Sequence, residues 1–191
     1  MKMRSLWLAV GVLFSVTGSF ATPQGSVDVL PTPTPTPMAR PTPPPVVPYE
    51  KLIPFLPPVP AGWTAEKPAG SLNEIEVFNL STASRTYQAA ADEDAPVVTV
   101  TLIDAGGHKG YFESATGQWK VNAETEEGYD KTVDIDGMPG YEHYSKAAKT
   151  GSLSVVVAKR FFIQIEVTNL NPRALQEWFK KIDVKKLAEL N

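Results

Sequence analysis

The sequence predicts an α+β fold in which a mostly antiparallel sheet has a C-terminal amphipathic helix packed on it. Three stretches of the chain lead to this prediction. Residues 97–103 are rich in β-branched side chains, which favours a central strand. Residues 131–168 alternate apolar and polar positions between turn residues, which is typical of four strands in meander order. Residues 172–182 repeat apolar side chains at helical spacing, which indicates an amphipathic helix.

The first 21 residues have the three parts of a secretory signal peptide. Lys2 and Arg4 give a positive start, residues 6–14 form an apolar run, and residues 19–21 offer the small side chains of a cleavage site. We therefore expect cleavage after Ala21 and a periplasmic or secreted protein. The apolar run is shorter than the roughly 20 residues of a membrane-spanning helix, so we expect no stable membrane span after processing. An uncleaved anchor is the alternative.

Residues 22–50 form a proline-rich segment that we expect to be a disordered tether. Fourteen of the 18 prolines lie between Pro23 and Pro60, and residues 31–37 alternate strictly between proline and threonine. Proline lacks the backbone donor and fixes φ, so this composition favours an extended, solvated chain over helix or sheet. A passive linker fits this composition, and so does a spacer or a ligand for a proline-binding module.

Residues 51–191 are expected to form a single α+β domain. Its first stretch, residues 52–56, is too apolar to remain exposed in a linker, so we expect it to pack onto the domain. Alternation over residues 74–80 predicts an early strand. A domain of about 130 residues is large enough to build a hydrophobic core without disulfide bonds.

The four strands of the predicted meander follow one another closely along the chain. We expect strands over residues 131–136 and 141–146, joined by a strong turn signal at residues 136–140 (Asp-Gly-Met-Pro-Gly). Strands over residues 153–159 and 161–168 complete the meander. In the last strand every second side chain is apolar, which predicts a sheet with one buried face.

The C-terminal region is predicted to be helical. Asn171 can cap the helix, and Pro172 suits its first position. Four apolar side chains then fall on one stripe: Leu175, Trp178, Phe179 and Ile182. We expect Asp183 to cap a final turn and the helix to cover the sheet. A weaker pattern predicts a second helix within residues 108–125.

The charge and composition of the domain exclude several classes of function. Residues 61–191 carry 14 basic and 19 acidic side chains, a net charge of −5, whereas nucleic-acid binding needs a basic surface. The lack of cysteine excludes disulfide bonds, a thiol nucleophile and thiolate metal sites. We expect no cofactor, no metal ion and no nucleic acid as a partner.

His108 and His143 are the residues that catalysis or zinc binding would use first. Neither lies in an HExxH or HxH spacing, and the two are far apart in sequence. We therefore interpret both as exposed or partly packed side chains rather than as members of a catalytic or metal site.

Two glycine-containing segments are similar to known ligand loops but lack their full patterns. Residues 106–110 (Gly-Gly-His-Lys-Gly) follow a strand, yet contain neither GxGxxG nor GxxxxGKS/T, so we expect a loop that needs positive φ. Residues 134–137 (Asp-Ile-Asp-Gly) are similar to the middle of a calcium loop, but Thr132 and His143 occupy the places of its first and last acids. An Asp-Gly hairpin turn explains these residues better.

Acidic and aromatic side chains are the remaining candidates for a site. The acidic clusters are Asp92, Glu93 and Asp94, then Glu124, Glu126, Glu127 and Asp130. Two carboxylates brought together can run glycoside hydrolysis or hold calcium, whereas acidic runs in loops are usually solvated. The aromatic candidates for stacking on sugars are Trp63, Trp119, Tyr87, Tyr111, Tyr129, Tyr141 and Tyr144. Single aromatic residues of a sheet are more often core residues or cross-strand pairs.

Six segments of the domain carry a family resemblance: residues 60–63, 85–87, 97–104, 136–142, 151–155 and 159–161. Over residues 56–190 they resemble a group of uncharacterised exported bacterial proteins. The order of elements, with a Pro-Ala-Gly-Trp entry and a closing amphipathic helix, also resembles the Mog1/PsbP-like α/β/α domains. Mog1-like domains bind a small GTPase and PsbP binds a photosystem, so the resemblance implies a binding or accessory module without catalysis. Fold alone does not fix function.

We therefore expect a non-enzymatic exported module of the cell envelope that binds an envelope protein or polymer. The tether and the lack of a convergent acid–base or metal signature support this hypothesis. The alternative is a carboxylate-based hydrolase that acts on envelope carbohydrate through the acidic clusters. The sequence assigns a catalytic residue to neither function.

Overall fold

The computed structural model of the chain describes residues 45–75, 78–89 and 94–190. The predicted signal peptide and most of the predicted tether lie outside the described residues. The described part begins near the end of the predicted tether and contains most of the predicted domain.

Strands dominate the described part of the chain. They are β1 (Thr64–Ala65), β2 (Ala69–Ile75), β3 (Phe78–Gln88), β4 (Val97–Asp104), β5 (Ala123–Glu124), β6 (Gly128–Ile135), β7 (Met138–Ser145), β8 (Thr150–Val157) and β9 (Phe161–Thr168). The same residues contain short helices: α1 (Tyr49–Leu52), α2 (Lys109–Thr116), α3 (Arg173–Phe179) and α4 (Val184–Ala188). A 3-10 turn, Ile53–Phe55, follows α1 directly.

Within the described ranges, the nine strands form one antiparallel sheet in the order β1-β3-β4-β9-β8-β7-β6-β5, and β2 also pairs with β3. The α+β class and the mostly antiparallel sheet predicted from the sequence are therefore confirmed. Strands β6 to β9 are consecutive neighbours, which confirms the predicted meander of four strands. Strand β4 lies between β3 and β9, which confirms the central strand predicted from the β-branched run.

The hydrophobic core lies on one face of the sheet, where every second side chain is buried. The alternating buried set predicted for β9 is confirmed: Phe161, Ile163, Ile165 and Val167. The strand register places Ile165 opposite Val100 of β4 and opposite Leu153 of β8, so apolar side chains form rows across the sheet. Burial contributes about 1.5–3 kcal/mol for each large aliphatic side chain in such a row.

The single strand predicted over residues 74–80 is wrong. These residues cover the end of β2 and the start of β3, and the two strands pair with each other so that Ile75 lies opposite Phe78. An alternating sequence pattern is the same whether one strand continues or two antiparallel strands follow each other. A period of two therefore could not reveal where the chain reverses direction.

The turn predicted over residues 136–140 is shorter than expected. Ile135 lies opposite Met138, so only Asp136 and Gly137 form the loop, and their φ values are 53° and 81°. This is a two-residue Asp-Gly hairpin turn, in which both central residues have positive φ. The hairpin interpretation is confirmed, and the rest of the segment belongs to β7.

The C-terminal region contains a shorter main helix than the sequence predicts over residues 172–182. Helix α3 ends at Phe179, and the final turn is confirmed as α4, which Asp183 caps by accepting a 3.1 Å hydrogen bond from the Lys186 N–H. Within α3, the buried side chains include Leu175, Trp178 and Phe179. None of the helices in the described ranges has the length and apolar character that a membrane crossing requires.

The apolar segment that precedes the sheet packs onto the domain, as predicted. Leu52 and Leu56 are buried in the same core as the sheet residues. Val47 is also buried, and its backbone N–H donates a 2.7 Å hydrogen bond to the Asp104 carboxylate of β4. The packed part of the chain therefore extends at least to Val47, inside the segment that the sequence assigns to the tether.

Candidate functional site

An open groove lies between the strand pair β6–β7 and helix α3. Its strand side is formed by Tyr129, Lys131 and Glu142, and its helix side by Pro172, Arg173, Gln176, Glu177 and Lys180. This depression has a volume of about 450 Å³. A second depression of about 490 Å³ shares Tyr129 and Pro172 with it. We call the two together the β7–α3 groove, and the second depression adds Tyr144, Lys146, Lys149, Asn169, Leu170 and Asn171.

Glu142 is a buried carboxylate at the floor of this groove, with only 2% of its surface exposed. Its Oε1 accepts a hydrogen bond from the Tyr129 hydroxyl and lies 3.0 Å from Lys131 Nζ. Its Oε2 accepts a 3.2 Å hydrogen bond from Gln176 Nε2. Burying a carboxylate is costly unless it is paired and hydrogen-bonded, and these three partners meet that requirement.

Strand register brings the cluster together. Glu142 of β7 lies opposite Lys131 of β6, and Tyr129 lies opposite Tyr144 on the same face. Cross-strand neighbours have Cβ atoms about 4.5–5.5 Å apart, which is close enough for their side chains to touch. Gln176 reaches Glu142 from α3, 34 residues further along the chain. The cluster therefore exists only when β6, β7 and α3 are all in place.

The environment of Tyr129 keeps its hydroxyl protonated. Burial, followed by the hydrogen bond to the charged Glu142, raises the pKa of Tyr129 well above its ordinary value of 10.0. The phenol therefore remains a hydrogen-bond donor to Glu142. Lys131 Nζ lies 4.3 Å from the centroid of the Tyr129 ring, a cation–π distance. The Lys131 side chain is 42% exposed and lines the groove.

Positive charge dominates the groove although the domain as a whole is acidic. Five cationic side chains line it, against two acidic ones, Glu142 and Glu177. Within the described residues, Arg173, Lys180 and Lys149 have no carboxylate partner. Since nearby like charges repel, an anion bound among them would relieve that repulsion.

Asp130 and His143 form a separate polar cluster on the opposite face of the sheet. Asp130 Oδ1 lies 2.8 Å from His143 Nδ1 and accepts a 2.8 Å hydrogen bond from the Tyr141 hydroxyl. These hydrogen bonds, that from Tyr141 first, lower the pKa of Asp130 below its ordinary value. Successive side chains of a strand point to opposite faces, so His143 points away from the side on which Glu142 lies.

His108 has a structural position at the start of α2. Its Nδ1 accepts a 3.3 Å hydrogen bond from the Tyr111 N–H, and α2 confirms the second helix predicted within residues 108–125. Just before it, Gly106 and Gly107 have φ values of 60° and 72°, which confirms a loop that needs positive φ. In the part of the chain that the structure describes, no group of three or more His, Asp or Glu side chains is placed to hold a metal ion.

In the described part of the chain, the predicted acidic clusters do not line the β7–α3 groove, although Glu124 lies beside it, with Oε1 4.0 Å from Nζ of the groove residue Lys146. Asp92 and Glu93 lie outside the described residues. The exposed members in the described part are Asp94, Glu124, Glu126 and Glu127. Glu124 and Asp130 line one shallow depression of about 320 Å³, which shares Tyr129 and Lys131 with the groove. None of the described cluster members lines the groove itself.

The aromatic candidates pair with one another, mostly as core or cross-strand partners. The Trp178 ring lies 5.1 Å from Trp63 and 4.7 Å from Tyr87, measured between centroids. Tyr129 and Tyr144, which lie opposite each other in β6 and β7, stack with centroids 6.0 Å apart. The other ring pairs are Trp119 with Tyr141 and Phe162, and Tyr111 with Phe112.

Sequence reasoning named Tyr129 but missed the residues around it. Lys131, Glu142, Gln176 and Arg173 come from two strands and a helix, and no local motif links them. One signal was present: in the alternation of β7, Glu142 falls on the same face as Tyr144, between positions that are buried. A charged residue on the buried face of a strand is rarely accidental, because it must be paired there.

The chemistry of the β7–α3 groove follows from its own side chains. The buried, hydrogen-bonded carboxylate of Glu142 forms an ion pair with Lys131, and four further cationic side chains line the same groove. Such an arrangement can receive an anionic group and surround it with hydrogen-bond donors. The chain matches no known protein family, no curated protein and no solved structure.

Proposed function

We propose that this chain is a non-enzymatic exported module of the cell envelope, and that the β7–α3 groove is its binding surface. The proposal rests on the engagement of Glu142. Both of its carboxylate oxygens have partners: Oε1 contacts the Tyr129 hydroxyl and Lys131 Nζ, and Oε2 accepts a hydrogen bond from Gln176. A general acid or base has to exchange its proton with a substrate. Glu142 instead supports the surrounding side chains, which suits binding without chemistry.

An envelope protein or polymer is the class of partner that the groove suits best. The groove is open and consists of two adjoining depressions, whereas small-molecule sites are usually enclosed. An extended ligand can follow such a surface and contact cations along it. A tether over residues 22–50 would let the exported domain reach this partner away from the membrane.

Helix α3 forms one wall of the groove, and we infer that it is docked on the sheet rather than merely adjacent to it. Buried Leu175, Trp178 and Phe179 support this inference, since they face the sheet side of the helix. A docked helix holds Arg173 and Gln176 in fixed positions relative to β7. We also propose that the order of elements is that of the Mog1/PsbP-like domains, and this resemblance agrees with a binding role.

A carboxylate-based hydrolase acting on envelope carbohydrate is the second candidate. It is favoured by one observation: Glu124 and Asp130 line the same shallow depression. Glycoside hydrolysis needs two such carboxyl groups on either side of the scissile bond. The engagement of Asp130 with Tyr141 and His143 argues for a structural role of this carboxylate instead.

One experiment separates the two functions. The purified full chain is mixed with isolated cell envelopes of the source organism, and both the sedimenting fraction of protein and the release of reducing sugar ends are measured. A binding module is expected to be retained saturably without new reducing ends. Release of reducing ends that is lost in Asp130→Asn would instead establish the hydrolase. Absence of both retention and release would contradict both functions.

A further inference from the structure

We propose that the ligand of the β7–α3 groove is an anionic polysaccharide, a sugar chain that bears repeated carboxylate or phosphate groups. This inference rests on the proposed binding function and names the class of ligand. It is carried by the charge of the groove and by the uncharged polar groups that line it.

The charge of the groove is opposite to that of the domain. Residues 61–191 have a net charge of −5, yet the groove brings together three more cations than acids, when Glu142 is counted among the acids. Clustered charge of one sign in a concave surface attracts ligands of the other sign and speeds their association. Because the domain as a whole is acidic, its other surfaces do not attract an anionic ligand, and the attraction is limited to the groove.

The cations lie along the groove rather than at one point. Lys180 and Arg173 line the first depression with Lys131, and Lys146 and Lys149 line the second. A ligand with a single charge would satisfy only one of these groups. A polymer with charges at regular intervals can contact several of them at once, and the shared residues between the depressions allow it to run through both.

Uncharged polar side chains between the cations suit sugar hydroxyls. Gln176 donates a hydrogen bond from its amide nitrogen to Glu142, and the residue lines the first depression. The side-chain oxygen of Asn171 accepts a 3.0 Å hydrogen bond from the Arg173 N–H, and Asn171 also lines the second depression. An amide donates and accepts hydrogen bonds, as hydroxyl-rich ligands require.

Nucleic acid is disfavoured by the same surface. Single-stranded nucleic acid is held by bases stacked on exposed aromatic rings. Tyr144 is only 5% exposed, and the Tyr129 ring is stacked on Tyr144 and approached by the Lys131 ammonium group. These rings are therefore not free to stack on a base or on a sugar, so a ligand of this groove is held by its cations and amides.

The test measures binding of defined polymers to the full chain by calorimetry at low ionic strength. The probes are polygalacturonate, which carries carboxylates, a phosphomannan, which carries phosphodiesters, and dextran, which is neutral. Polyphosphate is the control for a polyanion that contains no sugar, and a single-stranded DNA oligonucleotide is the control for a polyanion that carries bases. We expect binding of at least one anionic polysaccharide and no binding of dextran. Comparing polygalacturonate with phosphomannan identifies which anionic group is preferred.

The groove is tested with two matched pairs of substitutions. Arg173→Gln with Lys180→Gln removes two exposed groove cations, and Lys67→Gln with Lys185→Gln removes two exposed cations elsewhere. We expect the first pair to weaken binding at least tenfold and the second pair to change it less than twofold. Added salt should weaken binding to the unaltered chain more steeply than binding to the groove variant. Lys149→Gln, from the second depression, provides an independent variant with the same expected direction.

Four outcomes would overturn the inference. The first is that both pairs of substitutions weaken polysaccharide binding equally. The second is that polyphosphate or DNA binds more tightly than both charged polysaccharides, and the third is that only dextran binds. Failure of every probe to bind would also overturn it. In each of these cases retention of the full chain on isolated envelopes tells whether the binding function itself stands, because that measurement does not depend on the choice of probe.

Discussion

The carboxylate of Asp104 receives two hydrogen bonds from the guanidinium group of Arg160, from Nε at 3.0 Å and from Nη2 at 2.9 Å. Asp104 is fully buried at the end of β4, and its oxygens also accept hydrogen bonds from the backbone N–H groups of Val47 and Gly106. Arg160 Nη1 in turn donates to the Leu190 carbonyl at 3.3 Å. One ion pair thus joins the entry segment, the end of β4, the β8–β9 turn and the C-terminal end of the domain.

Removing the charge of Asp104 should destabilise the domain strongly. Asp104→Asn leaves the Arg160 guanidinium without its carboxylate, and breaking such a buried pair typically costs about 3–5 kcal/mol. We expect a loss of about 3 kcal/mol in the free energy of unfolding, measured by urea denaturation. The control is Glu113→Gln, whose ion pair with Lys109 is exposed and should contribute less than about 0.5 kcal/mol. A loss below about 1 kcal/mol in Asp104→Asn would contradict the role assigned to this pair.

Shortening the chain tests how far the packed domain extends. A chain that begins at residue 45 keeps Val47 and should match the stability of the processed chain. A chain that begins at residue 50 loses the buried Val47 side chain and its hydrogen bond to Asp104, so we expect it to be about 1–3 kcal/mol less stable. Beginning at residue 61 also removes buried Leu52 and Leu56, with a further loss. Equal denaturation midpoints for the first two chains would show that Val47 contributes nothing.

Trp178 of α3 is the side chain that tests whether the helix is docked. It is 4% exposed and contacts the rings of Trp63 and Tyr87. Trp178→Ala should lower the free energy of unfolding by about 3–5 kcal/mol, because it removes a large buried ring and leaves a cavity. Glu177→Ala, the exposed neighbour, should change stability by less than about 0.5 kcal/mol. A change near zero in Trp178→Ala, seen by urea denaturation, would mean that the helix is not docked.

Gly151 of β8 lies where a side chain has no room. A Cβ atom added there would lie 2.7 Å from Tyr144 Cδ2 and 2.8 Å from the His143 carbonyl oxygen. Gly151→Ala must therefore push Tyr144 or the β7 backbone aside, and we expect it to cost about 1–3 kcal/mol in stability. Ser152→Ala in the same strand should cost under about 0.5 kcal/mol. Equal unfolding midpoints for the two variants would disprove this close approach.

Asp130 should make stability depend on acidic pH. Its hydrogen bonds to Tyr141 and His143 lower the pKa of the folded state below the ordinary value of 3.8. A lowered carboxyl pKa stabilises the folded state above the ordinary value and loses that contribution as pH falls through the folded value. Asp130→Asn should therefore be less stable than the unaltered chain near neutral pH, with the difference shrinking below pH 3.8. Denaturant midpoints across this range measure it.

The matched control for the pH experiment is Glu126→Gln, an exposed carboxyl in the neighbouring loop. It should leave the pH profile of unfolding unchanged. An Asp130→Asn profile parallel to that of the unaltered chain at every pH would contradict the hydrogen-bonded arrangement of Asp130, Tyr141 and His143.

The sequence by itself determined the elements whose cause is local. The β-branched run of residues 97–103 predicts β4 because such side chains suit a pleated, buried surface. Asp136 and Gly137 determine the β6–β7 turn because few residues accept positive φ at both positions. The alternation of residues 161–168 determines which face of β9 is buried. In each case the deciding interactions lie within a few residues of one another.

Only the tertiary structure decided the groove. Glu142 lies opposite Lys131 because of the β6–β7 register, and a one-residue shift would place the two on opposite faces. It also accepts a hydrogen bond from Gln176, which lies 34 residues further along the chain. The pairing of β2 with β3 was missed for the same kind of reason, since the pattern of one strand does not state which strand it pairs with. A side-chain pattern states which face a residue occupies, but the partners on that face depend on how distant strands and helices pair.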